Sequence, residues 1–152
     1  MIVYADTSAL IKLYLTEVGS PALKKLVAES EALATCRVSW AEAHAALARR
    51  VREVPGDAAP VAQAKRALAS DWPKIMLVEL TQEIVERAAE YADTFALRGY
   101  DSVQLAAAHS LTLEAGVPVT FACFDERLNK AAKVLAMATP FALSPGDRKS
   151  VV

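Results

Sequence analysis

The sequence predicts an α/β sandwich built on a mostly parallel central sheet. Short unbroken apolar runs, such as residues 2–5 and 119–124, read as strands buried on both faces. The stretches between such runs carry apolar residues at a 3.6-residue period, as amphipathic helices do. Acidic residues follow the first and last of these runs, Asp6 and Asp125, at the carboxyl edge where such sheets bind their ligands. With 152 residues the chain is expected to form one domain over residues 1–143, with residues 144–152 as a polar, frayed tail.

Taken in order, Ile2–Ala5 is the first strand. A helix follows in which Leu10, Leu13 and Tyr14 can share a face while Lys12 points away. Gly19-Ser20-Pro21 breaks the chain and starts a second helix, with Ser20 expected as N-cap and Pro21 at the first helical position. Residues 32–36 read as a strand, and residues 39–53 as a helix ended by Val54-Pro55-Gly56-Asp57. A further helix runs to Asp71 and is stopped by Trp72-Pro73.

Ile75-Met76-Leu77-Val78 is another buried-strand pattern, and Thr81 then caps a helix whose apolar face includes Ile84, Ala88, Tyr91, Ala92 and Phe95. Gly99 is expected at that helix's C-terminus with positive φ. Asp101 opens the next helix, whose Ala106-Ala107-Ala108 run permits close backbone approach. Gly116-Val117-Pro118 ends it, residues 119–124 form a strand, Asp125 begins a helix through Leu135, and residues 139–143 are expected as a last strand.

Composition narrows the function classes. The hydrophobic share is 54% and mean hydropathy +0.23, yet no apolar run approaches the roughly 20 residues that span a bilayer. The N-terminus lacks a basic region and Asp6 interrupts its apolar stretch, so no signal peptide is read there. Surplus apolar surface is expected to cover a partner interface. Cys36 and Cys123 have no paired spacing and read as buried free thiols of a cytoplasmic protein. A formal net charge of −1 gives no general attraction for nucleic acid, so any such binding must come from local basic patches or bound metal.

Four acids stand where helices begin: Asp6, Glu42, Asp101 and Asp125. Each can be read as a helix cap, and Ser39-Trp40-Ala41-Glu42 matches a capping box. A capping carboxylate keeps one oxygen free, so capping and metal ligation are compatible. If the four converge, charge decides the outcome. Two carboxylates about 5 Å apart repel by roughly 3 kcal/mol at an effective dielectric near 20. Four together must take up protons or a divalent cation, and offsetting them leaves the rest of the chain at +3.

Oxygen ligands select Mg²⁺ or Mn²⁺. Zinc is disfavoured because His44 and His109 are solitary; His109 reads as a packing or surface residue, and His44, close to Glu42, retains a possible supporting role. Ser8 is a candidate accessory hydroxyl, whereas Thr7 is expected to satisfy a helix-start N–H. Phosphate-loop, dinucleotide and nucleophile-elbow motifs are absent. An aspartyl-phosphate phosphatase would want a second acid where Ser8 stands.

Four stretches then carry a family resemblance: residues 2–10 (IVYADTSAL), 39–42 (SWAE), 97–108 (LRGYDSVQLAAA) and 124–128 (FDERL). In this order and spacing, over about residues 1–143, the chain resembles the PIN-domain nucleases, and among them bacterial toxins of the VapC type. The resemblance implies a three-layer α/β/α sandwich with Asp6, Glu42, Asp101 and Asp125 as a Mg²⁺ or Mn²⁺ site, and Ser8 as the accessory hydroxyl. It also implies an RNA substrate, a homodimer and a cognate VapB-type antitoxin. One departure is Cys123, where the family often has threonine or serine; this makes Asp125 the ligand expected to act through water.

The reaction so implied is in-line hydrolysis of an RNA phosphodiester by metal-activated water, leaving a 5′-phosphate and a 3′-hydroxyl. Arg98 and Arg127 are the foremost candidates for phosphate contact, ahead of Lys130, Lys133, Arg49, Arg50 and Arg52, which otherwise read as solvated helix faces. Trp40 reads as buried near Glu42 rather than as a base-stacking platform. The alternatives are a catalytically silent interaction module whose acids serve only as caps, and a DNA-directed nuclease of the same superfamily.

Overall fold

The computed structural model describes residues 1–142. Four parallel strands, β1 (Ile2–Ala5), β2 (Ala32–Cys36), β3 (Met76–Val78) and β4 (Val119–Ala122), form one sheet in the order β3-β2-β1-β4. Among the described residues seven α-helices connect and cover them: α1 (Thr7–Lys12), α2 (Ser20–Ala28), α3 (Ser39–Glu53), α4 (Ala58–Asp71), α5 (Gln82–Phe95), α6 (Gly99–Glu114) and α7 (Glu126–Val134). Short 3₁₀ turns at Pro55–Asp57 and Trp72–Lys74 mark the proline-bearing breaks on either side of α4.

The alternation of a strand sorts the core into two layers. Ile2 and Tyr4 pack on one face with Leu105, Ala107 and Ala108 of α6 and Leu128, Ala131 and Ala132 of α7. Val3 and Ala5 pack on the other with Ala9 and Leu10 of α1, Leu23 of α2, Ala43 of α3 and Leu68 of α4. The three-layer sandwich is therefore present. Ala106, on the remaining side of α6, meets Ile84 and Ala88 of α5, so the small residues do allow close helix approach.

Several local expectations are corrected. The cap of α2 is Gly19, not Ser20: Gly19 has φ 92°, and a Cβ there would lie 2.6 Å from the Phe124 ring. Ser20 sits inside the helix, its hydroxyl accepting from the Glu17 amide. The positive φ after α5 belongs to Ala96, at 53°, and Gly99 instead opens α6. Asp101 accordingly lies within the first turn of α6 rather than at its cap.

The strand expected over residues 119–124 stops at Ala122. Residues 139–142 form no strand; one parallel bridge joins Thr120 to the preceding Ala138. Leu143 and the tail expected over residues 144–152 lie outside the described residues. Among the described residues, no helix is long and apolar enough to cross a membrane. Cys36 and Cys123 are buried free thiols, as their setting predicts.

Candidate active site

Parallel pairing of β1 with β4 aligns Ala5 with Ala122, so the chain leaves both strands at the same edge. Asp6 follows β1 directly, and its amide donates to the Ala122 carbonyl across 3.2 Å. Asp125 stands three residues beyond the end of β4. Both acids cap helices, as expected: Asp6 Oδ1 accepts from the Ala9 amide at 2.9 Å, and Asp125 Oδ1 accepts from the Leu128 amide at 2.8 Å. In each case a second carboxylate oxygen remains.

Asp6 is 6% exposed. Burial raises its pKa from the ordinary 3.8 to about 6. The Ala9 amide and Cys123 thiol oppose that rise, while the negative charges of Asp101 and Asp125 add to it. Asp101 is half-buried and also shifted upward, by burial first; Arg98 opposes the shift and Asp125 adds to it. Three of the predicted acids thus act on one another across the sheet edge. Among the described residues no lysine or arginine forms a salt bridge with Asp6.

Glu42, in the first turn of α3, forms no capping box. The N-cap is Val38 without a side-chain bond, and the carboxylate turns instead to other elements. Glu42 Oε1 accepts from the Thr7 hydroxyl at 3.0 Å and from the Gln104 amide at 2.8 Å. Thr7 is next to Asp6 in sequence, so this contact carries Glu42 to the same edge. The expectation that Thr7 serves a helix-start N–H is overturned; its hydroxyl holds an acid. Ser8, the expected accessory hydroxyl, is exposed and makes no side-chain hydrogen bond among the described residues.

An open cleft of about 590 Å³ is lined by Leu97, Arg98, Asp101, Asp125, Glu126, Arg127 and Lys130. Arg98 and Arg127, singled out from sequence, therefore flank two of the acids. Arg98 is 90% exposed and 3.6 Å from Asp101, while Arg127 reaches the Ala96 carbonyl at 3.5 Å. Arg49 and Arg50 are paired elsewhere, with Glu53 and with Asp57 and Glu17. His109 bonds the Tyr91 hydroxyl between α5 and α6. His44 bonds the Trp40 carbonyl, and Trp40 packs on Trp72. Among the described residues neither histidine hydrogen-bonds an acid.

Sequence reasoning missed Gln104 and Asn129. Gln104 is 2% exposed and bonds Tyr4, Thr7, Ser39 and Glu42. Its signal was its spacing, one helical turn after Asp101 on an otherwise apolar face. Asn129, one turn after Asp125, donates to the Cys123 carbonyl at 2.8 Å and so ties down the segment that presents Asp125. Cys123 itself accepts from the Asp125 amide at 3.3 Å, so the thiol supports the loop that carries Asp125.

The donors fit a hard divalent cation in chemistry and charge: among the described residues they are carboxylate oxygens, one from a buried acid without a basic partner, with no paired histidine or cysteine. Their fit is not one of assembled coordination. Among the described residues no three His, Cys, Asp or Glu side chains stand close enough to hold a metal ion.

A family model of the PIN domain matches residues 3–134. The chain belongs to the PIN-domain family. Two Mycobacterium tuberculosis proteins, Ribonuclease VapC45 (strain CDC 1551 / Oshkosh) and Ribonuclease VapC49 (strain ATCC 25618 / H37Rv), are each 36% identical to it over 132 residues, covering 86% of this chain and 89% of the relative. Ribonuclease VapC35 of the same species is 30% identical over 97% of this chain and 99% of its own length. Among solved structures, a chain of a toxin-antitoxin complex from Klebsiella pneumoniae superposes with a TM-score of 0.61, covering 93% of this chain and 99% of that one. At 17% identity, that likeness speaks for the fold.

Proposed function

We propose that this PIN domain is a divalent-metal-dependent endoribonuclease, the toxin of a toxin-antitoxin pair. The observation that carries the reading is Asp6: a buried carboxylate on which the charges of Asp101 and Asp125 act, with no basic side chain paired to it among the described residues. Ribonuclease names borne by relatives of nearly the same length support the substrate class. Asp6, Glu42, Asp101 and Asp125 would hold Mg²⁺, with Mn²⁺ as substitute. Bound there, the ion lowers the pKa of water and offsets charge at the phosphorus.

The chain's own residues do the rest. Arg98, Arg127 and Lys130 along the cleft draw the phosphate backbone toward the acids. Thr7 and Gln104 fix the Glu42 carboxylate, and the Asp6 and Asp125 caps fix theirs against helix amides. The expected products are a 5′-phosphate and a 3′-hydroxyl. A cognate antitoxin, a homodimer and a cytoplasmic location complete the proposal.

The test compares the parent with Asp6→Asn on an RNA panel, in Mg²⁺ and in EDTA. Cleavage by the parent in Mg²⁺ alone supports the reading, and equal cleavage by both proteins overturns it. The silent-module reading draws support from the fact that no three acids stand within metal-holding distance. It predicts no Mn²⁺ uptake by calorimetry.

A further inference from the structure

We infer that Gln104 is the positioning residue of the site, orienting the Glu42 carboxylate toward the bound cation through a single allowed setting of its amide. This rests on the nuclease reading above. The amide has two N–H protons and three oxygens in reach: Glu42 Oε1 at 2.8 Å, Ser39 Oγ at 3.0 Å and Thr7 Oγ1 at 3.2 Å. Its own oxygen accepts from the Tyr4 hydroxyl at 2.6 Å. Turning the amide over would set its oxygen against the Glu42 carboxylate oxygen and would leave the Tyr4 hydroxyl proton without its acceptor. Only one orientation satisfies the buried partners.

The proton order extends beyond Gln104. Thr7 has one proton and gives it to Glu42, so its oxygen can only accept from Gln104. Thr35 Oγ1 lies 2.8 Å from both the Ala5 carbonyl and the Ser39 hydroxyl. A carbonyl cannot donate, so the single Thr35 proton goes to Ala5, and Ser39 gives its own to Thr35. The network therefore runs from the backbone beside Asp6, through Thr35, Ser39 and Gln104, to Glu42. It takes both bonds at Oε1 and leaves Glu42 Oε2 without a hydrogen bond among the described residues. That oxygen is the one available to a cation.

Supporting partners of metal ligands typically change metal affinity about 10- to 100-fold when removed. Gln104→Leu is expected to weaken Mn²⁺ binding by that factor, measured by calorimetry on folded protein, and to lower kcat on RNA while KM stays unchanged. Tyr4→Phe keeps the ring that packs on Phe121 but frees the amide to turn, and is expected to weaken Mn²⁺ binding about three- to ten-fold. A merely structural role would lower Tm in EDTA and leave Mn²⁺ affinity at the parental value. Parental affinity in folded Gln104→Leu overturns the inference; if that variant does not fold, parental affinity in Tyr4→Phe does so. A parent that neither takes up Mn²⁺ nor cuts RNA overturns the nuclease reading, and this inference with it.

Discussion

The Thr7 hydroxyl donates to the Glu42 carboxylate across 3.0 Å, joining the first turns of α1 and α3 although the two residues lie 35 apart in the chain. Thr7→Val keeps the shape of the side chain and removes that donor. A bond to a charged acceptor contributes about 1.5–3 kcal/mol, so Thr7→Val should lower kcat on RNA by roughly ten-fold or more. Ser8→Ala, at an exposed position without such a bond, should change kcat less than two-fold. A larger loss from Ser8→Ala than from Thr7→Val would restore the accessory role to Ser8.

Asp6→Asn should separate stability from activity. Asparagine keeps the oxygen that the Ala9 amide requires and removes a buried charge. In EDTA at pH 7 the variant should melt at a higher temperature than the parent, while RNA cleavage in Mg²⁺ falls at least 100-fold. A lower Tm for the variant in EDTA would contradict the buried-charge account.

The pH dependence of the metal-free protein follows from the same residue. Because the folded pKa of about 6 lies above the ordinary 3.8, the folded state holds its proton more tightly than the unfolded state. The stabilisation is complete below 3.8 and is lost as pH rises through about 6. The gap, at about 1.36 kcal/mol per pH unit, sets an upper bound of about 3 kcal/mol. Asp101 shifts in the same direction. Denaturant titrations in EDTA should therefore show stability falling between pH 4 and 7, and Asp6→Asn should flatten that slope.

Arg98→Ala and Arg127→Ala should raise KM for RNA and reduce the salt dependence of binding by about one unit of slope each, with little change in Tm. Both line the cleft without deep packing. Fluorescence anisotropy across a salt series checks this, and unchanged slopes would place the RNA elsewhere.

Neither cysteine should react while the protein is folded. Cys36 and Cys123 are fully buried, and burial pushes both thiols upward, Cys123 with further help from Asp6. A thiol reagent should label none in buffer and two in denaturant.

Much of this architecture is legible in the residues alone. Ile2–Ala5 and Val119–Ala122 are short, mostly apolar runs buried at every position, as strands covered on both faces are. Asp6 and Asp125 directly cap helices after those strands, because a short carboxylate there satisfies an amide three residues on. Local chemistry was misleading where two choices cost nearly the same. Ser39 and Glu42 have capping-box spacing, yet their side chains are taken by Gln104, Thr7 and Thr35 from three other elements. Ala96 accepts the left-handed turn expected of Gly99, because the whole α5–α6 packing outweighs the roughly 1–2 kcal/mol preference of one residue.

By its order of apolar runs and acids, the sequence determined the layered fold, its family and which carboxylates would gather at one edge. Tertiary structure alone decided that Thr7 rather than Ser8 meets an acid, and that Gln104 stands at the centre of the polar network. The reason is physical. A capping bond spans three residues and is written locally, whereas the Tyr4–Gln104 contact spans a hundred and exists only once strand and helix have packed.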